Sequence, residues 1–412
     1  MMSTYKPRLI EPLIEELLSE LPALLVVGPR ATGKTTTAAR YAAGIVRLDR
    51  ADEAAAFRAN PDVALRDLPE PVLLDEWQAV PEVLGAVKRA VDSDNRPGRY
   101  LLTGSVRADI ETETWPGTGR VVRVPMYPLT VAEQTGNVTQ PLVDRLTAGQ
   151  ELAPASDTPD LRDYIGLALQ GGFPEAALAL SGRVRERWLE SYVEQLLTRD
   201  ALTLNGSRDP ARLGRYFEAY ALNSAGLAEH KTLYDAAGIN RKTALAYERL
   251  LRNLMVVDEL PAWTSNRLKR LVLSPKRYLI DSALLGGALG VDAAAVIRDG
   301  KLMGRLLETF VTAQLRAEAT VATARPRLYH LRSERGRVEI DIVAELRGQR
   351  IIGMEVKADS APTSQDARHL ARLRDNLGDR FIAGVVLHTG PASYPLGSGI
   401  TAAPISTLWA GK

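Results

Sequence analysis

No cysteine occurs among the 412 residues, which excludes disulfides, thiolate zinc sites and cysteine nucleophiles. Histidine is scarce: His230, His330, His369 and His388 are scattered without paired spacing, so a histidine-based metal site is not expected. Long uninterrupted apolar runs are missing too. Acidic residues break every apolar stretch ahead of Pro22, leaving no signal-peptide core. The tail after Phe381 is uncharged up to Lys412, yet Pro391, Pro395, Pro404, Gly390, Gly397 and Gly399 interrupt it too often for a membrane helix. The expectation is a cytoplasmic protein without a membrane partner.

What is present is an ordinary globular composition, 45% hydrophobic and 25% charged. A length of 412 residues exceeds what one core supports, so roughly two to four domains are expected. The net charge of +2 is a cancellation. Residues 1–205 carry −7, residues 206–277 carry +6 and residues 278–412 carry +3. A short basic segment beside an acidic half suggests a nucleic-acid surface confined to one module; a solvated basic face is the plainer reading.

Leu9, Leu13, Leu17 and Leu18 recur at helical spacing, as in an amphipathic helix leading into the first domain. Ala23–Val27 then reads as a buried parallel strand. It runs directly into Gly28-Pro29-Arg30-Ala31-Thr32-Gly33-Lys34-Thr35-Thr36, a G-x-x-x-x-G-K-[ST] loop followed by a helical stretch. Gly28 and Gly33 let the backbone wrap a phosphate, Lys34 would reach the β- and γ-phosphates, and the Thr35 hydroxyl would ligate Mg²⁺. A second apolar run, Pro71–Leu74, ends in Asp75-Glu76. Asp75 would hold the magnesium through water and Glu76 would polarise the attacking water, which favours an NTPase over a small-molecule kinase. A third strand, Tyr100–Leu102, ends in Thr103-Gly104-Ser105, where Thr103 or Ser105 would face the γ-phosphate if this strand lies between the first two. Arg120, beside Gly119 and ahead of a fourth strand at Val121–Val124, is either a finger reaching a neighbouring subunit's nucleotide or a surface residue. The finger reading carries with it a homo-oligomer with nucleotide sites at subunit interfaces.

GPRATGKTT, LLDEWQ, LLTGS, Gly119-Arg120 and Pro128–Glu133 occur in the order they have in a prokaryotic AAA+-type ATPase family, which this chain resembles over nearly its whole length. Gly171–Glu175 and Arg199-Asp200 also look like that family's signature. The Walker motifs are the most specific part. The resemblance implies ATP binding and a C-terminal region with a winged helix and a restriction-endonuclease-like fold.

The residues point the same way. Leu233–Ala237 suits a short helix, Gly238 a turn, and Asn240 an N-cap before a helix from Arg241 to about Asn253. Ala244, Leu245, Leu250, Leu251 and Leu254 would pack inward while Arg241, Lys242, Arg249 and Arg252 stay wet. Met255–Val257, a loop with Arg267, Lys269 and Arg270, and a returning strand at Leu271–Leu273 complete a winged helix. Its basic residues would neutralise phosphates of DNA, or of RNA. The alternative is a packing module between domains or subunits.

Further on, Glu308 falls in an amphipathic helix, Asp341 on an alternating strand (Val338–Val343), and Glu355 and Lys357 on one face of the next strand (Ile351–Lys357). This order resembles the PD-(D/E)xK nuclease superfamily. In that reading Asp341 and Glu355 would share a Mg²⁺, Lys357 would orient the nucleophilic water, and Glu308 would complete the metal shell or accept a proton. Gln365 resembles an auxiliary residue of some nucleases. A surface ion pair on a fold retained without cleavage is the competing reading.

The resulting architecture is α/β: an AAA+-type P-loop core with a parallel sheet (1–140), a helical lid (141–205), a winged helix (206–290) and a nuclease-like domain (291–412), with Gln150–Asp160 as the clearest linker. The expected function is ATP hydrolysis coupled to engagement, and Mg²⁺-dependent cleavage, of nucleic acid. The opposing reading is an ATP-switched DNA- or protein-binding scaffold with a degenerate nuclease fold.

Overall fold

The computed structural model describes residues 5–105, 118–200, 209–332 and 338–410. The chain divides into two compact units, one formed by Pro7–Pro128 with Leu251–Val256 and the other by Met1–Lys6, Leu129–Leu250 and Val257–Lys412.

The first unit is built on five parallel strands: β1 (Ala23–Val27), β2 (Gly44–Arg47), β3 (Val72–Asp75), β4 (Tyr100–Gly104) and β5 (Val122–Pro125), in the order β2-β3-β4-β1-β5. Every residue of β1, β3 and β4 is buried, as continuous apolar runs require when both faces of a parallel sheet are covered. One covering element is the helix Val83–Ser93, whose Val83, Leu84, Val87 and Val91 recur at helical spacing and join a core with Leu25, Leu74, Trp77 and Leu102. Burying each such side chain contributes about 1.5–3 kcal/mol. In the leading helix Glu11–Glu20, Ile14 is the buried residue, while Leu13, Leu17 and Leu18 are partly covered. Because β4 lies between β3 and β1, the carboxyl ends of the three strands bring residues 27–28, 75–76 and 103–105 side by side.

The second unit holds the remaining helices and two further sheets. Helices Leu161–Gln170, Gly182–Gln195, Ala283–Leu289 and Gly300–Val321 pack together within it. Residues 141–200 therefore group with this unit. Two carboxylates pin helix Leu142–Thr147 to the Gly300–Val321 helix: Glu318 accepts from the Leu142 N–H at 2.8 Å, and Asp144 accepts from Thr323 and Ala324 N–H at 2.8 and 2.9 Å. In the Gly171–Glu175 segment, which leads into the helical stretch Glu175–Ala179, the Gly172 N–H donates to the buried Asp281 at 2.8 Å. Arg199 and Asp200 have side chains outside the described residues.

Helices Pro210–Leu222, His230–Ala236 and Arg241–Asn253 precede an antiparallel pair, β6 (Val257–Leu260) and β7 (Lys276–Leu279). Gly238 takes φ +63° in the turn and the Asn240 side chain caps the third helix through the Thr243 N–H at 2.9 Å, as the sequence predicts. Two details differ. Leu245 is 49% exposed, and Tyr247 takes the inward position. The returning strand is Lys276–Leu279: the chain first forms a helical turn, Arg267–Arg270, capped by Asn266, and leaves Leu271 and Val272 more than four-fifths exposed at 82% and 83%. Alternation alone could not discriminate between two adjacent short apolar runs.

The last sheet is mixed, in the order β12-β13-β11-β10-β9-β8, from β8 (Arg327–Arg332), β9 (Glu339–Glu345), β10 (Ile351–Val356), β11 (Phe381–His388), β12 (Tyr394–Gly397) and β13 (Ile400–Pro404). β8, β9 and β10 are antiparallel neighbours, whereas β11 runs parallel to β10 after the helix Arg368–Leu377. Leu370, Leu373 and Leu377 of that helix close the core over Ile340, Val343 and Ile351. Among the described residues no helix is long and apolar enough to cross a membrane.

Candidate functional sites

The loop between β1 and the helix Lys34–Ala38 has the close approaches a phosphate cradle needs. A Cβ on Gly28 would lie 2.1 Å from the Met126 carbonyl oxygen, and Gly33 takes φ +88° at the helix start. Thr32 Oγ1 donates to the Pro29 carbonyl at 2.9 Å and so does Lys34 Nζ at 2.7 Å. The buried Lys34 ammonium thus rests on the loop's own backbone, and burial brings its pKa down to about 8 against the opposing pull of Glu76 and Asp75. Arg30, Ala31 and Thr36 are exposed along the loop. The residues present fit a nucleotide phosphate chain with its magnesium ion.

Thr35 Oγ1 donates to Asp75 Oδ1 at 2.7 Å, and Thr103 Oγ1 donates to the same oxygen. Glu76 sits at φ +54°, ψ +51°, left-handed backbone that a residue with a Cβ adopts at a cost of order 1–3 kcal/mol. Gln78 Nε2 donates to Glu76 Oε2, and also lies 3.3 Å from Ser105 Oγ. The two hydroxyls left open by the sequence are therefore separated: Thr103 faces Asp75 and Ser105 faces the Glu76–Gln78 pair. Two participants have no role assigned from the sequence. One is Gln78. The other is Arg8, whose guanidinium donates to the Thr32 carbonyl at 2.8 Å and the Tyr127 carbonyl at 2.7 Å. Arg120 is exposed and pairs with Asp92 at 2.6 Å.

In the mixed sheet, the structure brings the predicted Glu308, Asp341, Glu355 and Lys357 into one neighbourhood, but around an unforeseen lysine. Lys276 of β7, 2% exposed, places Nζ 2.5 Å from Glu308 Oε1 and 3.1 Å from Asp341 Oδ1. Tyr278 OH donates to Glu308 Oε1 at 2.6 Å, and the Val356 N–H donates to Asp341 Oδ2 at 3.0 Å. Burial opposes the Lys276 charge, yet Glu308, Tyr278 and Asp341 hold its pKa well above the ordinary value, so the ammonium persists. Lys357 Nζ donates to Glu355 Oε2 at 2.8 Å, while burial, then Asp341, push the Glu355 carboxyl up to about 7. Among the described residues, no three His, Cys, Asp or Glu side chains form a group that could hold a metal ion. The arrangement does not fit the Mg²⁺ expected between Asp341 and Glu355, because an ammonium already neutralises Asp341. Gln365 is exposed.

On the basic helix, Arg241, Lys242 and Arg249 are exposed and Arg252, in the last turn, is half-buried. Arg267 and Lys269 are exposed on the turn before β7. Arg270 departs from the expectation of a nucleic-acid contact. Its guanidinium makes two hydrogen bonds to Glu345, one at 3.1 Å, donates to the Thr264 carbonyl, and lies 5.3 and 5.0 Å from the Trp263 and Tyr329 ring centroids. With only 9% of that side chain exposed, its donors are committed inside the protein.

Residues 20–135 match a family model described as an AAA domain. Together with the parallel sheet and loop geometry, this makes the first unit a P-loop nucleotide-binding domain similar to AAA domains. Residues 161–295 and 303–408 match two domains of unknown function, DUF8612 and DUF4143. The chain is similar to the uncharacterized protein Rv2008c of Mycobacterium tuberculosis, with 28% identity over 400 residues, 96% of this chain and 82% of that protein. The same figures hold for Mb2031c of Mycobacterium bovis. Among solved structures, the Walker-type ATPase PABY2304 of Pyrococcus abyssi aligns with a TM-score of 0.44 and 15% identity, covering 71% of this chain and 100% of that one. A RuvB variant from Thermotoga maritima aligns at 0.28 and 16%, covering 67% and 96%.

Proposed function

We propose that this protein hydrolyses ATP at the Gly28–Thr36 loop and engages DNA through its basic helix, as an ATP-switched module whose last sheet does not cleave. The hydrogen bond from Thr35 to Asp75 carries the ATPase reading, because it joins the two motifs that must share one nucleotide. Lys34 would leave the Pro29 carbonyl for the phosphates, Thr35 and Asp75 would orient toward the cation, and Glu76 would take the proton of the attacking water. The magnesium ion supplies charge neutralisation of the phosphates. Thr103 keeps Asp75 oriented, and Gln78 holds Glu76.

Three helices followed by a hairpin support a winged-helix reading of residues 206–290, and the exposed Arg241, Lys242, Arg249, Arg267 and Lys269 supply phosphate contacts. The α-β-β-β-α-β order from Gly300 to His388 supports a nuclease-like ancestry for the last sheet. A second reading, Mg²⁺-dependent cleavage through Glu308, Asp341, Glu355 and Lys357, draws on their proximity; Lys276 between the first two opposes it. Arg120 as a finger between subunits remains part of the proposal for an assembled state, in which it would exchange Asp92 for a phosphate.

The test is ATP turnover by wild type and Lys34→Ala, with duplex DNA titrated across salt concentrations. The reading requires turnover that Lys34→Ala abolishes and DNA affinity that falls with salt. Turnover unaffected by Lys34→Ala sinks the ATPase assignment. Cleavage of single- or double-stranded DNA or RNA, abolished by Lys357→Ala, sinks the non-cleaving one.

A further inference from the structure

The cation at the centre of the last sheet comes from a neighbouring hairpin. β7 alternates as a strand should: Lys276 and Tyr278 face Glu308, while Arg277 between them turns the other way, to Glu248 at 3.2 Å and the Ala228 carbonyl at 3.0 Å. Lys276 is fully buried, its Nζ touches Glu308 and Asp341, and Glu339 lies 3.9 Å away. Isolated carboxylates at this depth would be protonated or destabilising, so the cluster needs a positive charge. A divalent ion would need at least several oxygen ligands free to converge on it. Glu308 and Asp341 are instead each committed to the ammonium and to a second donor, Tyr278 OH and the Val356 N–H respectively.

Resting on the non-cleaving reading of this sheet, we infer that Lys276 is the resident cation of the Glu308–Asp341 cluster in place of a divalent metal, and that it fastens the β6–β7 hairpin to the sheet. Lys276 is a positioning residue here. It neutralises Asp341, which is itself anchored by the β10 backbone, and with Tyr278 it fixes Glu308. Further contacts fasten the same two elements: the Trp263 N–H donates to the His330 carbonyl at 2.6 Å, the His330 N–H donates to the Pro261 carbonyl at 3.0 Å, and Arg270 pairs with Glu345. The hairpin and sheet are therefore joined by several polar clasps, and among these the Lys276 clasp occupies the place expected of a metal.

The experiment uses the full chain, nucleotide-free, in metal-depleted buffer. Thermal melting is followed with EDTA or with Mn²⁺, and Mn²⁺ binding is measured directly. Wild type should melt within about 1 °C under both conditions and bind no Mn²⁺ that depends on Asp341. Lys276→Met should melt roughly 10 °C lower, because it strands two largely covered carboxylates. Should that variant not fold, Lys276→Met with Glu308→Gln, which removes one charge of each sign, should fold and recover more than half of any loss. Mn²⁺ binding by wild type that Asp341→Asn abolishes overturns the inference, and so does Lys276→Met melting with wild type. The first of these, without nucleic-acid cleavage, leaves the non-cleaving reading standing; cleavage lost in Lys357→Ala overturns that reading separately.

Discussion

Thr35, in the helix that follows β1, donates its hydroxyl to Asp75 Oδ1 at 2.7 Å across forty residues of sequence, and Thr103 donates to the same oxygen from β4, the strand between β1 and β3. One carboxylate oxygen thus joins two strands and the start of a helix at the mouth of the phosphate loop. Thr35→Ala should lower Mg²⁺-dependent ATP turnover at least about 100-fold while changing metal-free nucleotide affinity less than about threefold, since the hydroxyl acts on the cation. Equal losses of both would mean that Thr35 serves the loop's shape alone.

Lys34 makes nucleotide affinity depend on pH in a definite direction. Its pKa in the free chain is about 8 because the ammonium is buried, and phosphate binding favours the charged form. Above pH 8 the free chain must take up a proton to bind, so the dissociation constant should rise up to about tenfold per pH unit. Titrating a slowly hydrolysed ATP analogue from pH 7 to 9.5 checks this. A flat profile contradicts it.

Glu318 provides a stability test. Burial raises its carboxyl to about 7 from 4.5, despite the Leu142 N–H and Arg145. Between those values the folded state holds more of this proton than the unfolded state, so stability falls as pH rises through the window. The full difference is on the order of 3 kcal/mol. Glu318→Gln keeps an acceptor for Leu142 and should lack this component, becoming more stable than wild type as pH goes from 5 to 7. Chemical denaturation of both proteins at intervals across that range reads the difference; a difference of opposite slope refutes the assignment.

Arg270 and Arg241 separate packing from nucleic-acid contact. Arg270→Ala leaves the buried Glu345 without its partner and should cost about 3 kcal/mol with little change in DNA affinity at a temperature where it is folded. Arg241→Ala, on an exposed position, should leave stability within about 0.5 kcal/mol and reduce the salt slope of binding by about 1. Denaturant midpoints and salt-dependent titrations of the two variants decide it.

The parallel sheet was legible because each of its central strands is a continuous apolar run next to a residue with one chemical purpose: Gly28, Asp75, Thr103. The third helix of the basic segment was legible down to its Asn240 cap. Gln78 lay inside a recognised motif, but its role needs the left-handed turn at Glu76, which no residue type announces. Arg8 and Lys276 were illegible for a different reason. Each acts on groups far along the chain, 24 residues to Thr32 for Arg8 and 65 to Asp341 for Lys276, and pattern within a window does not report such pairings. Lys276 also falls in the segment assigned to the winged helix, so its charge counted toward a basic surface. In the folded chain it is spent on carboxylates of the next segment.

Glu76→Gln is the most direct test of the account, because it keeps the size of the side chain and one acceptor oxygen while removing its charge and basicity. Single-turnover hydrolysis and ATP binding should be measured on the same preparation. The account predicts ATP affinity within about threefold of wild type and a hydrolysis rate lower by 10²–10⁴, roughly the contribution of a positioned general base. Hydrolysis at the wild-type rate in Glu76→Gln would contradict it.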